Sequence, residues 1–252
     1  MTLQRHKSLW DALACTDPMW AILTTDEKRD RKWDEQEFFG TGKKEIADLL
    51  AECEALGISP LRNRVLDFGC GIGRLTQALA EYFAESTGVD VSDAMIAEAR
   101  RINCFGERCT YLVNNAPDLA QLSVNAFDLV YSNIVLQHIV PDISRQYIHE
   151  FFRVARPGGV IIFQLPSSIH WRRRIQWRRH LFQFLQSAGV SGEFMIRRLR
   201  INPMRMAFLP RPVVETVIAQ SGGTVVSVKE WTAMQITSCL YFAIKRDPAS
   251  AS

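Results

Sequence analysis

From Arg64 onward the chain alternates between short apolar runs and stretches whose apolar residues recur every three or four positions. Arg64–Phe68 (RVLDF) reads as a strand. Arg74–Phe83 reads as a helix, with Leu75, Leu79 and Tyr82 or Phe83 along one side. Thr87–Val91 is a second strand. Ser92–Arg101 is a helix, with Ser92 as its N-cap and Met95, Ile96 and Ala99 facing inward. Cys109–Val113 and Phe127–Ser132 continue the strands. Ile143–Ala155 is a helix stopped by Pro157-Gly158-Gly159, and Val160–Leu165 is a fifth strand. Strands separated by helices of about ten residues predict a parallel sheet covered on both faces, because parallel neighbours need a crossover connection.

The two ends differ from this pattern. Thr224–Trp231 and Ser238–Lys245 read as strands joined by about six residues, too few for a crossover helix, so they pair antiparallel. Before Arg64 the pattern gives two or three helices. Gly42–Leu56 is the clearest, with Ile46, Leu49, Leu50 and Cys53 at helical spacing.

Composition narrows the setting. At 252 residues, 47% hydrophobic and 23% charged, the chain has ordinary globular make-up and can bury a sizeable core. The net charge of +3 is too small to argue for nucleic acid by itself. The six cysteines form no CxxC and the histidines no HExxH, so neither a metal site nor a disulfide framework is expected. Scattered thiols fit a reducing compartment. The N-terminal MTLQRHKSLWDALACTDP lacks the apolar core of a signal peptide. Apolar runs fall far short of the roughly 18 residues of a membrane span. A soluble, cytoplasmic protein is expected.

The most informative stretch is Val65-Leu66-Asp67-Phe68-Gly69-Cys70-Gly71-Ile72-Gly73, where a strand turns into a helix. Glycines there permit positive φ and let a ligand lie against bare backbone, and the helix N-terminus that follows suits a carboxylate. Asp90 comes 23 residues after Asp67, near the end of the second strand, where this topology meets a ribose. A dinucleotide fingerprint wants glycine at the sixth place of GxGxxG, and Arg74 stands there. Asp67 is awkward beside a pyrophosphate and sensible beside an ammonium. S-adenosyl-L-methionine offers an ammonium, a carboxylate, a ribose and an adenine, and no phosphate.

These motifs together resemble the class I S-adenosylmethionine-dependent methyltransferases. VLDFGCGIGRLTQALA is similar to their glycine motif and GVDVS to their ribose motif. FDLVYSNIVLQHI resembles the segment at and after the fourth strand, VARPGGVIIFQ the turn into the fifth, and Thr224–Lys245 the closing hairpin. The resemblance implies a Rossmann-like α/β fold: a seven-stranded, mainly parallel sheet in the order 3-2-1-4-5-7-6, with helices on both faces and an antiparallel last strand. It implies that Asp67, Gly69, Cys70 and Gly71 line the methionine part of the cofactor. Asp90 would hold the ribose and Val91 the adenine. Asn115 and Ala116 would meet the adenine amino group, with Asn114 next door leaving that assignment open by one residue. Asn133, or Ser132, would face the sulfonium. Met95 is either core or an adenine contact. His138, in LQHI at the rim, is a candidate catalytic base, or else a packing or cofactor-contact residue.

The flanking segments would select the acceptor. Residues 1–63 are expected as an N-terminal helical lid, 64–166 as the cofactor-binding core, 167–212 as a helical insertion capping the substrate, and 213–252 as the rest of the sheet. The run Trp33–Gly42 is either part of the lid or a helix packed on the sheet. The insertion carries ten arginines, among them Arg172, Arg173, Arg174, Arg178 and Arg179, against the single acid Glu193. Such segregation creates a positive field. It fits a solvated lid, a cap for an anionic small molecule, an RNA-facing patch or a membrane-surface helix. With no RNA-binding module appended, nucleic acid is not the expected partner, and a small-molecule acceptor is. A methyltransferase-fold protein acting on or binding RNA or another macromolecule is the alternative.

Overall fold

A computed structural model describes residues 3–170, 177–190, 194–195, 198 and 204–247. The strands are β1 (Arg64–Phe68), β2 (Glu85–Asp90), β3 (Cys109–Val113), β4 (Phe127–Ser132), β5 (Ala155–Ile169), β6 (Gly223–Ala233) and β7 (Ile236–Lys245). They form one seven-stranded sheet in the expected order, β3-β2-β1-β4-β5-β7-β6. The first five pair parallel, and β7 runs antiparallel between β5 and β6. The helices are α1 (Leu3–Thr16), α2 (Pro18–Ile22), α3 (Glu35–Ala55), α4 (Arg74–Leu79), α5 (Asp93–Arg101), α6 (Pro141–Val154), α7 (Trp177–Ser187) and α8 (Arg211–Gln220).

Alternation along the strands separates two cores. Val130, Phe163 and Tyr241 face α6 and α8, where Phe151, Phe152, Val217 and Ile218 meet them. Leu129, Tyr131, Ile162 and Phe242 face α3 and α4, against Ile46, Leu49, Leu50 and Leu79. A third cluster, containing Leu13, Ala21, Phe38, Met95, Phe182 and Met195, joins the N-terminal helices to the described part of the 167–212 segment.

Element boundaries depart from the sequence reading where tertiary partners intervene. α3 begins at Glu35 rather than Gly42 because the Asp34 carboxylate caps the Glu37 amide at 2.9 Å. The run Trp33–Gly42 therefore mostly continues this packed helix. Gly42 is needed at its crossing with α4, since a Cβ there would lie 2.6 Å from the Arg74 carbonyl oxygen. α4 stops at Leu79, and Arg108 donates to the carbonyls of Ala80 and Phe83 just beyond. α6 ends at Val154, so Pro157-Gly158-Gly159 lies within an irregular start of β5. β5 runs on to Ile169 because β7 pairs with it beyond the end of the parallel register, through Pro166↔Ser238 and Ile169↔Ile236.

The C-terminal ends of the parallel strands share one rim, and α1 and α2 lie across it. Lys7 pairs with Asp11 and Asp93, and Asp11 accepts from the Ser92 hydroxyl at 2.6 Å, tying α1 to α5. At the opposite rim, the Asp128 carboxylate is 3% exposed and accepts from the amides of Asn63 (3.0 Å) and Arg64 (2.9 Å), with Arg156 Nε 2.5 Å away. It fastens the start of β1 to β4 and β5. Replacing Asp128 with alanine leaves two amides without their acceptor and the Arg156 guanidinium without its counter-charge. The expected loss is roughly 2–4 kcal/mol, read by urea denaturation.

Candidate active site

The turn after β1 depends on backbone that side chains disfavour. Gly69, Gly71 and Gly73 have φ of 79°, 53° and 84°. The amides of Gly69 and Cys70 donate to the Val89 carbonyl, fixing the turn against the end of β2. Space is as restrictive as torsion: a Cβ on Gly69 would lie 2.2 Å from a Val135 methyl, and one on Gly71 would lie 2.6 Å from Ile22.

Asp90 closes the end of β2. Its Oδ2 accepts from the Gly71 amide and its Oδ1 from the Ser92 amide, each at 2.9 Å. Burial pushes this carboxyl above its usual range, partly countered by those amides. A cleft opens here. It gathers Gly69, Cys70, Gly71, Asp90, Val91, Asn133 and His138, seven of the residues singled out in the sequence. Met95 also lines it, although almost wholly buried.

Four of the singled-out residues sit elsewhere. Asp67 lies beneath the turn, 2% exposed, accepting the Thr76 hydroxyl at 2.7 Å; burial pushes it up to about 7. Asn115 is exposed, and Ala116 is off the cleft wall. Asn114 is on the wall instead, its amide donating to the carbonyls of Ala116 (3.1 Å) and Asp118 (2.9 Å). Its own backbone amide bonds the Asp90 carbonyl, and this register brings Asn114 inward. Ser132 is buried behind the wall, donating to the Phe68 carbonyl at 3.0 Å.

The roof is built from residues the motifs did not indicate. His6 and Trp10 of α1, with Ala21 and Ile22 of α2, cover the cleft. His138 sits on a single 3-10 turn, Leu136–His138, with the Trp10 ring edge-on at 5.5 Å. Its Nδ1 is 2.7 Å from the Arg205 carbonyl and its Nε2 is 3.2 Å from Gln137 Nε2. Burial lowers both His138 and His6 to about 4.

A second, wider cavity adjoins the first on the α3 side of the sheet, and the two share Ala21 and Ile22 of the roof together with Asn133, Ile134 and His138. Ile134 has φ of 61°, a left-handed conformation that a β-branched residue rarely holds. Where the cavities meet, one carboxylate collects three donors. Glu45 of α3 accepts from Arg74 (2.8 Å), the Tyr131 hydroxyl (2.9 Å) and the Asn133 amide (2.7 Å). Among the described residues no cluster of histidines, cysteines and acids could hold a metal ion, and no helix is long and apolar enough to cross a membrane. Arg172, Arg173, Arg174, Arg197 and Arg200 of the insertion fall outside the described residues.

Comparison with known proteins agrees with this architecture. Residues 66–163 match the model of a methyltransferase domain. The chain is 32% identical over 151 residues to malonyl-[acyl-carrier protein] O-methyltransferase of Enterobacter lignolyticus, covering 55% of this chain and 58% of that one. It is 38% identical over 175 residues to ubiquinone biosynthesis O-methyltransferase of Pseudomonas fluorescens, covering 60% and 74%. Across such curated relatives the chain spans between 38% and 74% of their length. The fold matches magnesium protoporphyrin IX methyltransferase of Synechocystis, solved with bound S-adenosylhomocysteine, with a TM-score of 0.60 at 18% identity over 96% of this chain and 98% of that one. The glycine turn, the acid at the end of the second strand, the strand order and these similarities agree: the chain belongs to the class I S-adenosylmethionine-dependent methyltransferase family.

Proposed function

We propose that this protein transfers the methyl group of S-adenosyl-L-methionine to a small molecule, with the cofactor in the glycine-turn cleft and the acceptor in the adjoining cavity. The observation that carries this reading is the meeting of the two cavities at Asn133, Ile134 and His138. An in-line displacement needs donor and acceptor on opposite sides of one gap.

The residues fit the cofactor. An ionised carboxylate offers about four lone-pair positions. Asp90 uses two on backbone amides. Two remain, in number what a vicinal diol requires. Val91, Ile139, Val140 and Ile143 offer an apolar slot for a flat base. The amides of Gly69, Cys70 and Gly71 are engaged within the turn, so the bare glycine backbone gives the amino-acid end room and the start of α4 suits its carboxylate. We assign Gly69, Cys70 and Gly71 to that end, and assign Asp67 to support it from below through Thr76 and the turn. Asn114 takes the adenine edge, with Asn115 and Ala116 behind it. Asn133 stands at the sulfonium side, its amide held by Glu45. Bound there, the cofactor supplies an electrophilic methyl on a cationic sulfur. The chain's own part is to hold both ligands and exclude water under the roof of α1 and α2.

His138 sits at the gap as a neutral ring with both nitrogens engaged. A histidine lowered to about 4 is a feeble base, so the geometry favours orientation over proton abstraction. Residues 1–63 act as the lid and 167–212 as the cap, with 64–166 and 213–252 forming the core beneath. The arginine excess in the cap favours a second reading, an anionic acceptor or an RNA. A salt-sensitive RNA affinity would bring the latter forward. Six unpaired cysteines suit a cytoplasmic setting.

Thermal unfolding tests the cofactor. At about 100 times its Kd a ligand adds roughly 2.7 kcal/mol, a shift of several degrees. S-adenosylmethionine and S-adenosylhomocysteine should produce it and NAD should not; no shift with the adenosyl ligands defeats the proposal. Asp90→Ala should weaken S-adenosylhomocysteine binding about tenfold or more, and unchanged affinity removes the ribose assignment.

His138 also links folding to pH. Its folded pKa lies below the unfolded value of 6.5, so between 6.5 and about 4 the unfolded chain binds the extra proton and stability falls on acidification. Asp67, raised to about 7, acts in the opposite direction over an overlapping range. The comparison is therefore between wild type and His138→Asn. From pH 7 to 5, denaturant midpoints should show wild type losing up to about 1.4 kcal/mol per pH unit more than the variant. Equal losses would show that His138 takes up its proton in the folded chain.

A further inference from the structure

His138, Gln137 and Gln164 form a hydrogen-bonded chain whose direction is set at one end. The Arg205 carbonyl, 2.7 Å from Nδ1, can only accept, so Nδ1 carries the ring proton. In the neutral ring Nε2 must then accept, and the Gln137 amide nitrogen, 3.2 Å away, donates to it. That turns Gln137 Oε1 toward Gln164 Nε2, at 3.5 Å. Gln164 Nε2 also donates to the Ser238 hydroxyl at 3.1 Å. Gln164 Oε1 is left over, buried and without a hydrogen-bond partner among the described residues. Flipping the Gln164 amide would set two oxygens facing each other at Gln137. The polarity propagated from Arg205 therefore leaves an acceptor, not a donor, unpaired.

Gln164 belongs to the wall of the second cavity. Much of the rest of that wall is apolar and adaptable: Leu49, Met204, Met206, Trp231, Met234 and Leu240. Its described charges are already paired. Glu45 holds Arg74, Asp48 holds Lys44, and Glu52 holds Lys229, the sole cation among the described lining residues. A buried unpaired acceptor is costly, and a ligand O–H or N–H would relieve it.

We propose that the acceptor enters this cavity as an uncharged amphiphile. Its apolar body lies against the methionines and Trp231, and a hydroxyl or N–H donates to Gln164 Oε1. Gln164 is thus a specificity-determining residue, and Gln137 and His138 are positioning residues that fix the orientation of its amide. The inference rests on the methyltransferase reading only in naming the occupant as the acceptor.

Three probes with one apolar body test it: 4-heptylphenol, heptylbenzene and 4-heptylbenzoate, titrated by calorimetry into the full chain saturated with S-adenosylhomocysteine. The phenol should bind about tenfold tighter than either of the others, the effect of one buried hydrogen bond. In Gln164→Leu the preference for the phenol over heptylbenzene should fall to near unity while S-adenosylhomocysteine affinity stays the same. Heptylbenzene matching the phenol in wild type, the benzoate binding best, or a preference that survives Gln164→Leu overturns the proposal. Should that variant fail to fold, the wild-type order of the probes decides alone. Failure of S-adenosylhomocysteine to bind wild type strikes the methyltransferase reading, and the same order measured without it still tests the cavity.

Discussion

The carboxylate of Glu45 is where the two halves of the site are joined. It takes donors from the helix after the glycine turn, from the fourth strand and from the loop beyond it. None of those donors is covalently near it, yet all three converge on two oxygens. Arg74 is 5% exposed at its side chain and would be costly in that position without a counter-charge. Glu45 supplies the counter-charge and, through it, fixes α3 against α4. The same oxygen that holds Tyr131 holds Asn133, so the wall between the cavities inherits its position from the ion pair between α3 and α4.

Along β4, β5 and β7 the middle of the sheet is apolar on both faces, with Leu129, Ile162 and Phe242 on one side and Val130, Phe163 and Tyr241 on the other. At the level of the strand ends the same registers turn polar, at Asp67, Tyr131, Gln164 and Ser238 on the α3 side. Parallel strands bring their C-terminal ends to one edge, so a change of residue type at the end of each strand is enough to build a site. The helices α1 and α2 then exclude water without taking part in the sheet.

The sequence was most legible where structure is local. The glycine turn, the cap at Ser92 and Asp90 each follow from short-range pattern and connection length, whereas the strand order came through the family resemblance. Asn114 rather than Asn115 reaches the cleft because one backbone bond to Asp90 sets the register, and one residue decides which side chain faces inward. Glu45 gave no signal, since an acid on an amphipathic helix reads as a solvated face and its partners lie 29, 86 and 88 residues away. Arg74 was visible only as a residue that was not glycine. Gln164 did leave a trace, a lone amide in the apolar run Val160–Leu165, at a position that alternation turns toward the α3 face.

Ile134 lies between the two cavities with its backbone in a region its side chain resists. Holding a residue there costs about 1–3 kcal/mol, met by packing elsewhere in the fold. Relaxing that position with glycine or asparagine would make the chain more robust and its aperture less defined. Selection for thermal tolerance and selection for turnover would therefore pull this one position in opposite directions.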